Sequence, residues 1–215
     1  MSKKAPPLEV KQRGRPSLAD KARGETRAQL LDAAADIFAK HGFEGASVSQ
    51  IAGTVGITSG AVYRHFDGKA DLLLNLIRHR GPYISLTDLL DSPNSIKPND
   101  FAKLVSGYAS PELQLIRRLA VEIHAAAFRD EQAAALLGEF VKAARDSIAA
   151  GIDGCKRRGE ISKNLDSQMT ADILFILIMG LANLDTIDPT LIGDRKMKQF
   201  LENSVITMLT RDYDE

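Results

Sequence analysis

The stretch Ser47–Phe66, SVSQIAGTVGITSGAVYRHF, decides how the rest of the chain is read. Ser47 can cap a short helix whose apolar face is Val48, Ile51, Ala52 and Val55, recurring at helical spacing. Gly56 stands where such a helix needs a residue that tolerates positive φ. A second helix follows, with Thr58 or Ser59 as its cap. Its Ala61, Val62 and Phe66 face inward, and Tyr63, Arg64 and His65 are left on the outside. Two short helices that meet at a glycine, the second with a polar face, form the pattern of a helix-turn-helix.

Helical periodicity continues on both sides. Upstream, Leu30, Leu31, Ala34, Ile37 and Phe38 predict a helix over residues 25–41, ended by Gly42. Its apolar residues, with Val48, Ile51, Ala52, Val62 and Phe66, suffice for the core of a three-helix bundle. Residues 1–24 hold seven basic residues and three prolines without apolar periodicity, which predicts a flexible arm. Within it, Arg13-Gly14-Arg15-Pro16 resembles the core of an AT-hook, slim enough for a narrow minor groove. Downstream, a helix starts near Lys69 and runs to Arg80, where Gly81-Pro82 breaks it. Further helices are expected over about 99–108, from Pro111 through Phe128, over 131–158, over 167–186 and over 194–210. Residues 83–98 give a turn or two of helix and a loop. No stretch alternates like a strand, so the fold class is all-α.

Charge is distributed unevenly along a neutral chain. Lys and Arg outnumber Asp and Glu by 13 to 8 over residues 1–80, and are outnumbered by 20 to 15 in the remainder. A basic first segment on an acidic body suits a nucleic-acid binder. The one cysteine, Cys155, excludes an internal disulfide and reads as a small buried residue. His41, His65, His79 and His124 are scattered, with no metal-binding spacing around them. There is no glycine-rich phosphate loop after a strand, no nucleophile elbow and no Glu-x-x-His, so neither an enzyme nor a cofactor is implied. The N-terminus lacks the apolar run of a signal peptide, and no apolar run approaches the roughly 20 residues that span a bilayer. A cytoplasmic protein without membrane contact is expected.

The run I-A-x-x-x-G-I-T-S-G-A-V-Y-R-H-F-x-x-K resembles the DNA-binding signature of the TetR family of transcriptional regulators. The stretch Leu119–Ile161 resembles, more loosely, the effector domain of many such proteins. The resemblance implies an N-terminal three-helix helix-turn-helix domain at 25–70 after the arm at 1–24. A helical-bundle effector-binding and dimerisation domain would then occupy 71–215. The partners it implies are double-stranded DNA at a palindromic operator, a second copy of the chain and a small-molecule effector. The function it implies is that of a homodimeric repressor released by that effector. The alternative is a constitutive DNA-binding regulator whose body docks proteins.

Carried over by position, Ser47 and Ser49 resemble backbone contacts, and Thr58, Ser59, Gly60 and Ala61 open the recognition helix. Tyr63, His65 and Lys69 match phosphate contacts, and Arg64 reaches a base edge or a phosphate. Gly60 and Ala61 leave little side chain for direct readout, so the arm (Arg13, Arg15) and DNA shape would share the task. Effector contacts are sought among Tyr83, Phe101, Tyr108, Glu122, His124, Phe128, Phe140 and Phe175, although an aromatic at helical spacing also reads as plain core. The family's dimer interface would fall on the last two helices, at Ile173, Ile176, Gly180, Met197, Phe200, Leu201, Ser204, Val205 and Met208.

Overall fold

Side-chain caps set the starts of half the helices among the described residues. The computed structural model describes residues 18–80 and 95–211, which form ten α-helices and two 3-10 turns. Helix α1 is Leu18–Gly45, α2 Val48–Val55, α3 Ser59–Val62, α4 Lys69–Arg80 and α5 Pro98–Gly107. Helix α6 is Gln114–Ala127, α7 Glu131–Arg158, α8 Ser167–Leu181, α9 Leu184–Ile187 and α10 Arg195–Thr210. Asp130, Asp166 and Asp194 each accept backbone N–H bonds that start α7, α8 and α10. Gly159 closes α7 at φ 72, a left-handed position that suits glycine.

Three expectations change. Helix α1 begins at Leu18, so residues 18–24 are helical rather than part of the arm. Those residues read as arm because their charges hide any apolar stripe, and a helix can extend such a polar turn from a buried one. Arg13 and Arg15 lie outside the described residues. Gly42 breaks α1 at φ 66 and ψ −178, and one more turn follows before α2. The helix expected over 167–186 stops at Leu181, and the chain turns at Asn183 into α9. Asp185 of α9 bonds Arg117 and Gln114, which draws this segment onto α6.

The apolar core forms two clusters. The first holds Leu31, Ala34, Phe38, Ile51, Ala52, Val62 and Phe66, and Val48 is only half-buried against it. It continues without a break into Leu72, Leu73, Leu76 and Ile77 of α4 and Ile116, Leu119 and Ile123 of α6. The second packs α5, the C-terminal half of α7, α8 and α10, around Phe101, Leu104, Ile152, Leu174 and Val205. Cys155 is part of it, and burial pushes its thiol up to about 11.

Among the described residues one charge is fully enclosed. Arg117 is 0% exposed, donating from Nε to Asp185 at 2.7 Å and from Nη1 to the Tyr108 and Ser110 carbonyls at 2.8 and 2.6 Å. Burial alone would raise the Asp185 carboxyl, but the bonds from Arg117 and Gln114 outweigh it and hold the group below its ordinary 3.8. A carboxyl depressed in the folded state adds stability above its unfolded pKa and loses it as pH falls through the folded value. Asp185→Asn leaves Arg117 charged without a counterion, so stability measured by urea unfolding at pH 7 should fall by about 3–5 kcal/mol. The gap between parent and variant should close below about pH 4.

Candidate nucleic-acid interface

Ser47 starts α2 with a capping box. Its Oγ accepts from Gln50 N at 3.2 Å, and Gln50 Oε1 accepts from Ser47 N at 2.8 Å. Gly56 ends α2 at φ 75, in the left-handed region, and Ile57 N returns to the Ala52 carbonyl at 3.0 Å. Thr58 then caps α3, accepting from Ala61 N at 3.3 Å. The α-helical part of the recognition segment is a single turn. It is extended by bonds from Arg64 N, His65 N and Phe66 N to carbonyls three or four residues back. Val62 and Phe66 bury this segment against α1 and α2, which fixes the direction of its outer face.

That outer face carries Thr58, Gly60, Tyr63 and Arg64, all exposed, with Ser59, Ala61 and His65 half-exposed beside them. Tyr63 is 57% exposed, unusual for so large an apolar ring. Burial first, then Arg23, Arg64 and Arg27, hold the His65 imidazole below its ordinary 6.5. The surroundings of His65 are therefore already positive, as an anion-binding face requires.

The structure gathers Ser47, Ser49, Thr58, Ser59, Gly60, Ala61, Tyr63, Arg64 and His65 on two neighbouring short helices. Ser47 is committed to its cap, whereas Ser49 is exposed. Lys69 is half-buried: its ammonium sits 4.4 Å from the Phe43 ring centroid and donates to the Glu44 carbonyl at 3.3 Å. A phosphate at Lys69 would have to share this ammonium with the α1–α2 turn.

Arg23 and Arg27 are additions that the sequence reading missed. Arg27 stacks its guanidinium 4.9 Å from the Phe66 ring and donates to Asn75 Oδ1 at 2.6 Å, so it braces the interface from behind. Arg23 is exposed one helical turn before it. The spacing of the two was visible in the sequence once residues 18–24 are taken as helix.

The effector candidates separate. Tyr108, His124, Phe140 and Phe175 converge with Leu74, Ile77, Ile123 and Met179 around one apolar cavity of about 30 Å³ between α4, α6, α7 and α8. His124 Nδ1 is hydrogen-bonded to the Ala120 carbonyl, which leaves Nε2 as the ring's other polar atom. Phe101 is buried in the second core cluster. Phe128 is 91% exposed at the end of α6, since the chain turns there before the helical stripe reaches the core. Glu122 faces the DNA-binding head and accepts the N–H of Phe43. Tyr83 lies outside the described residues. Among the described residues no group of His, Cys, Asp and Glu could hold a metal ion, and no helix is long and apolar enough to cross a membrane.

The family profile described as "Bacterial regulatory proteins, tetR family" matches residues 30–76. The HTH-type transcriptional regulator UidR of Escherichia coli is 30% identical over 176 residues, which is 76% of this chain and 83% of UidR. Among solved structures, a putative TetR-family transcriptional regulator from Rhodococcus sp. has a TM-score of 0.68 at 23% identity, over 87% of this chain and 100% of that one. The regulator FadR of Bacillus subtilis, solved in complex with stearoyl-CoA, has a TM-score of 0.56 at 19% identity, over 87% and 99%. The two structures show the same all-α fold.

Nothing crowds Gly60: the nearest atom that an added Cβ would meet is Thr58 Oγ1 at 3.9 Å. Internal packing therefore does not require a glycine there, and the free space faces outward. Gly60→Ala should stabilise the folded chain by up to about 0.5–1 kcal/mol in thermal or urea unfolding, as in other helices. The same substitution should weaken DNA binding measured by fluorescence anisotropy if the backbone at Gly60 is to approach the groove, because a methyl group would then intrude. Unchanged DNA affinity would show that Gly60 stays clear of the bases.

Proposed function

This chain belongs to the TetR family of bacterial transcriptional regulators, and from that premise we propose that it is a homodimeric repressor released from a palindromic operator by a small-molecule effector. That it is a DNA-binding regulator and no enzyme follows from its relatives. Dimer, operator and effector are inferences from its own residues.

The dimer reading rests on one observation. Met169, Ile173, Ile176 and Leu177 of α8 are exposed by 59%, 41%, 68% and 38% along one face, with Gly180 exposed at its end. Phe200 on α10 is 70% exposed, with Ser204 exposed one turn further on. An apolar stripe of this length on a folded chain calls for a partner, and a second copy supplies the same stripe in a two-fold arrangement. Val205 takes no part, being buried in its own chain's core, and Met197, Leu201 and Met208 are half-buried against that core. The interface is therefore centred on Ile173, Ile176, Gly180, Phe200 and Ser204. Two heads held by it would each place α3 in the major groove of one half-site.

The cavity supports the effector. Its lining is nearly all apolar, with the His124 imidazole and the Tyr108 phenol as its polar side chains, so it suits an uncharged, largely apolar molecule. Its enclosed 30 Å³ holds about one water, an observation that favours the second reading, a regulator that binds DNA constitutively. Against this, an open pocket of about 260 Å³ adjoins it across Ala120, His124 and Met179. Of the three shared side chains, Met179 is the most flexible. A panel of uncharged aromatic and aliphatic compounds, scored by release of the protein from its operator, separates the readings. Release by any member supports the effector, and retention against all of them supports constitutive binding.

Ile176→Glu and Phe200→Glu put a charge into the apolar stripe, so sedimentation should show monomers where the parent is dimeric. Operator affinity should fall by about two orders of magnitude or more, the loss expected when two linked half-sites become separate binding events. Variants that remain dimeric would place the interface elsewhere.

A further inference from the structure

We propose that Glu122 is the positioning residue through which the body sets the angle of the DNA-binding head. The proposal deepens the dimeric-operator reading above and rests on it. Glu122 stands on α6, and its carboxylate accepts the N–H of Phe43, 79 residues earlier in the chain. Phe43 lies immediately after the break in α1 at Gly42. A Cβ at Gly42 would meet Glu122 Oε2 at 3.0 Å and Oε1 at 3.2 Å, and its φ of +66 also favours glycine. Carboxylate and bare backbone therefore fit one against the other.

The Phe43 side chain is held as firmly as its amide. It is 6% exposed, with its ring centroid 6.2 Å from that of Phe38 and the Lys69 ammonium 4.4 Å from its own ring. The break is thus fixed from α6 on one side and from the start of α4 on the other. Four residues after Phe43, Ser47 opens the capping box of α2, so the break determines where the helix-turn-helix begins. An ion pair across this junction, Arg129 with Glu44 at 2.9 Å, has side chains 65% and 70% exposed and adds little.

The same helix faces the cavity. Ala120, Ile123 and His124 line it, bracketing Glu122 in sequence, together with Leu74 and Ile77 of α4. A molecule that widened the cavity would push α6 outward and draw the carboxylate off the Phe43 amide. That amide would lose its acceptor at a largely buried site, which favours a different seat for the turn and hence for the head. Coupling then runs through α6 and the α1 break as well as through the tilt of α4.

The test needs no effector. Affinities of the parent, Glu122→Ala, Glu122→Gln and Glu122→Asp are measured against a set of inverted repeats that differ only in half-site spacing. A dimer with fixed heads selects one spacing, because the two recognition helices must meet equivalent groove faces. The parent should prefer its best spacing by about tenfold or more over its neighbours, a difference of roughly 1.4 kcal/mol. Glu122→Ala should flatten this preference to under about threefold or move the optimum. Glu122→Gln keeps an acceptor oxygen and should restore it. Glu122→Asp keeps the charge but withdraws the carboxylate by one methylene, and gives an intermediate profile that remains readable if the Ala variant fails to fold. General destabilisation would lower affinity at every spacing and leave the optimum in place. Ala and Asp variants with the parent's profile would overturn the role of Glu122 alone. A parent with no preferred spacing would overturn the dimeric reading and the proposal with it.

Discussion

The apolar core that begins at Leu30 in α1 runs through α2, α3 and α4 onto α6 and the start of α7, in what would otherwise be a separate body. Ile116, Leu119 and Ile123 pack against the head's own core, so the head cannot turn without moving a helix that also lines the cavity. Close-packed interiors tend to switch between discrete arrangements rather than deform gradually. The arrangement of the recognition segment, the position of Phe43 and the shape of the cavity therefore belong to one mechanical unit. The second core cluster, with α5, the C-terminal half of α7, α8 and α10, meets this unit at the cavity through Tyr108 and Ile178 and presents the apolar stripe on its outer side.

This division explains how a single turn of α-helix can be held rigidly enough for the recognition role proposed for it. Four residues in helical conformation are far too few to be stable alone. Val62 and Phe66 anchor the segment in the shared core, Thr58 caps it, and Arg27 stacks on Phe66 from α1. What remains outside is small at Gly60 and Ala61 and large or charged at Tyr63 and Arg64. Such a surface suits close backbone approach to DNA flanked by phosphate and base contacts.

Local chemistry made much of this legible in the sequence. Ser47, Gly56 and Gly159 announced their caps, and Thr58 did so with Ser59 as the alternative, because capping depends on one residue and its immediate neighbours. The heart of the helix-turn-helix core followed from period alone. The helical residues 18–24 were concealed by charge, because their sequence carries no apolar period. The fates of Glu122 and Phe128 were equally hidden. They sit six residues apart on one helix, yet one reaches across to residue 43 and the other ends in solvent. Val205 illustrates the same limit, since periodicity marks an apolar stripe without saying whether a chain covers it with its own helices or with a partner's. Arg117 gave no warning at all, because its counterion lies 68 residues away.

The central claim is that two such heads, held at a fixed distance, read DNA of two-fold symmetry. It is tested most directly by selecting binding sites for the full-length protein from a pool of random duplexes. The account predicts enrichment of an inverted repeat whose half-sites lie about one helical turn of DNA, or a multiple of it, apart. Enrichment of a single unrepeated half-site, or of no sequence, would contradict it.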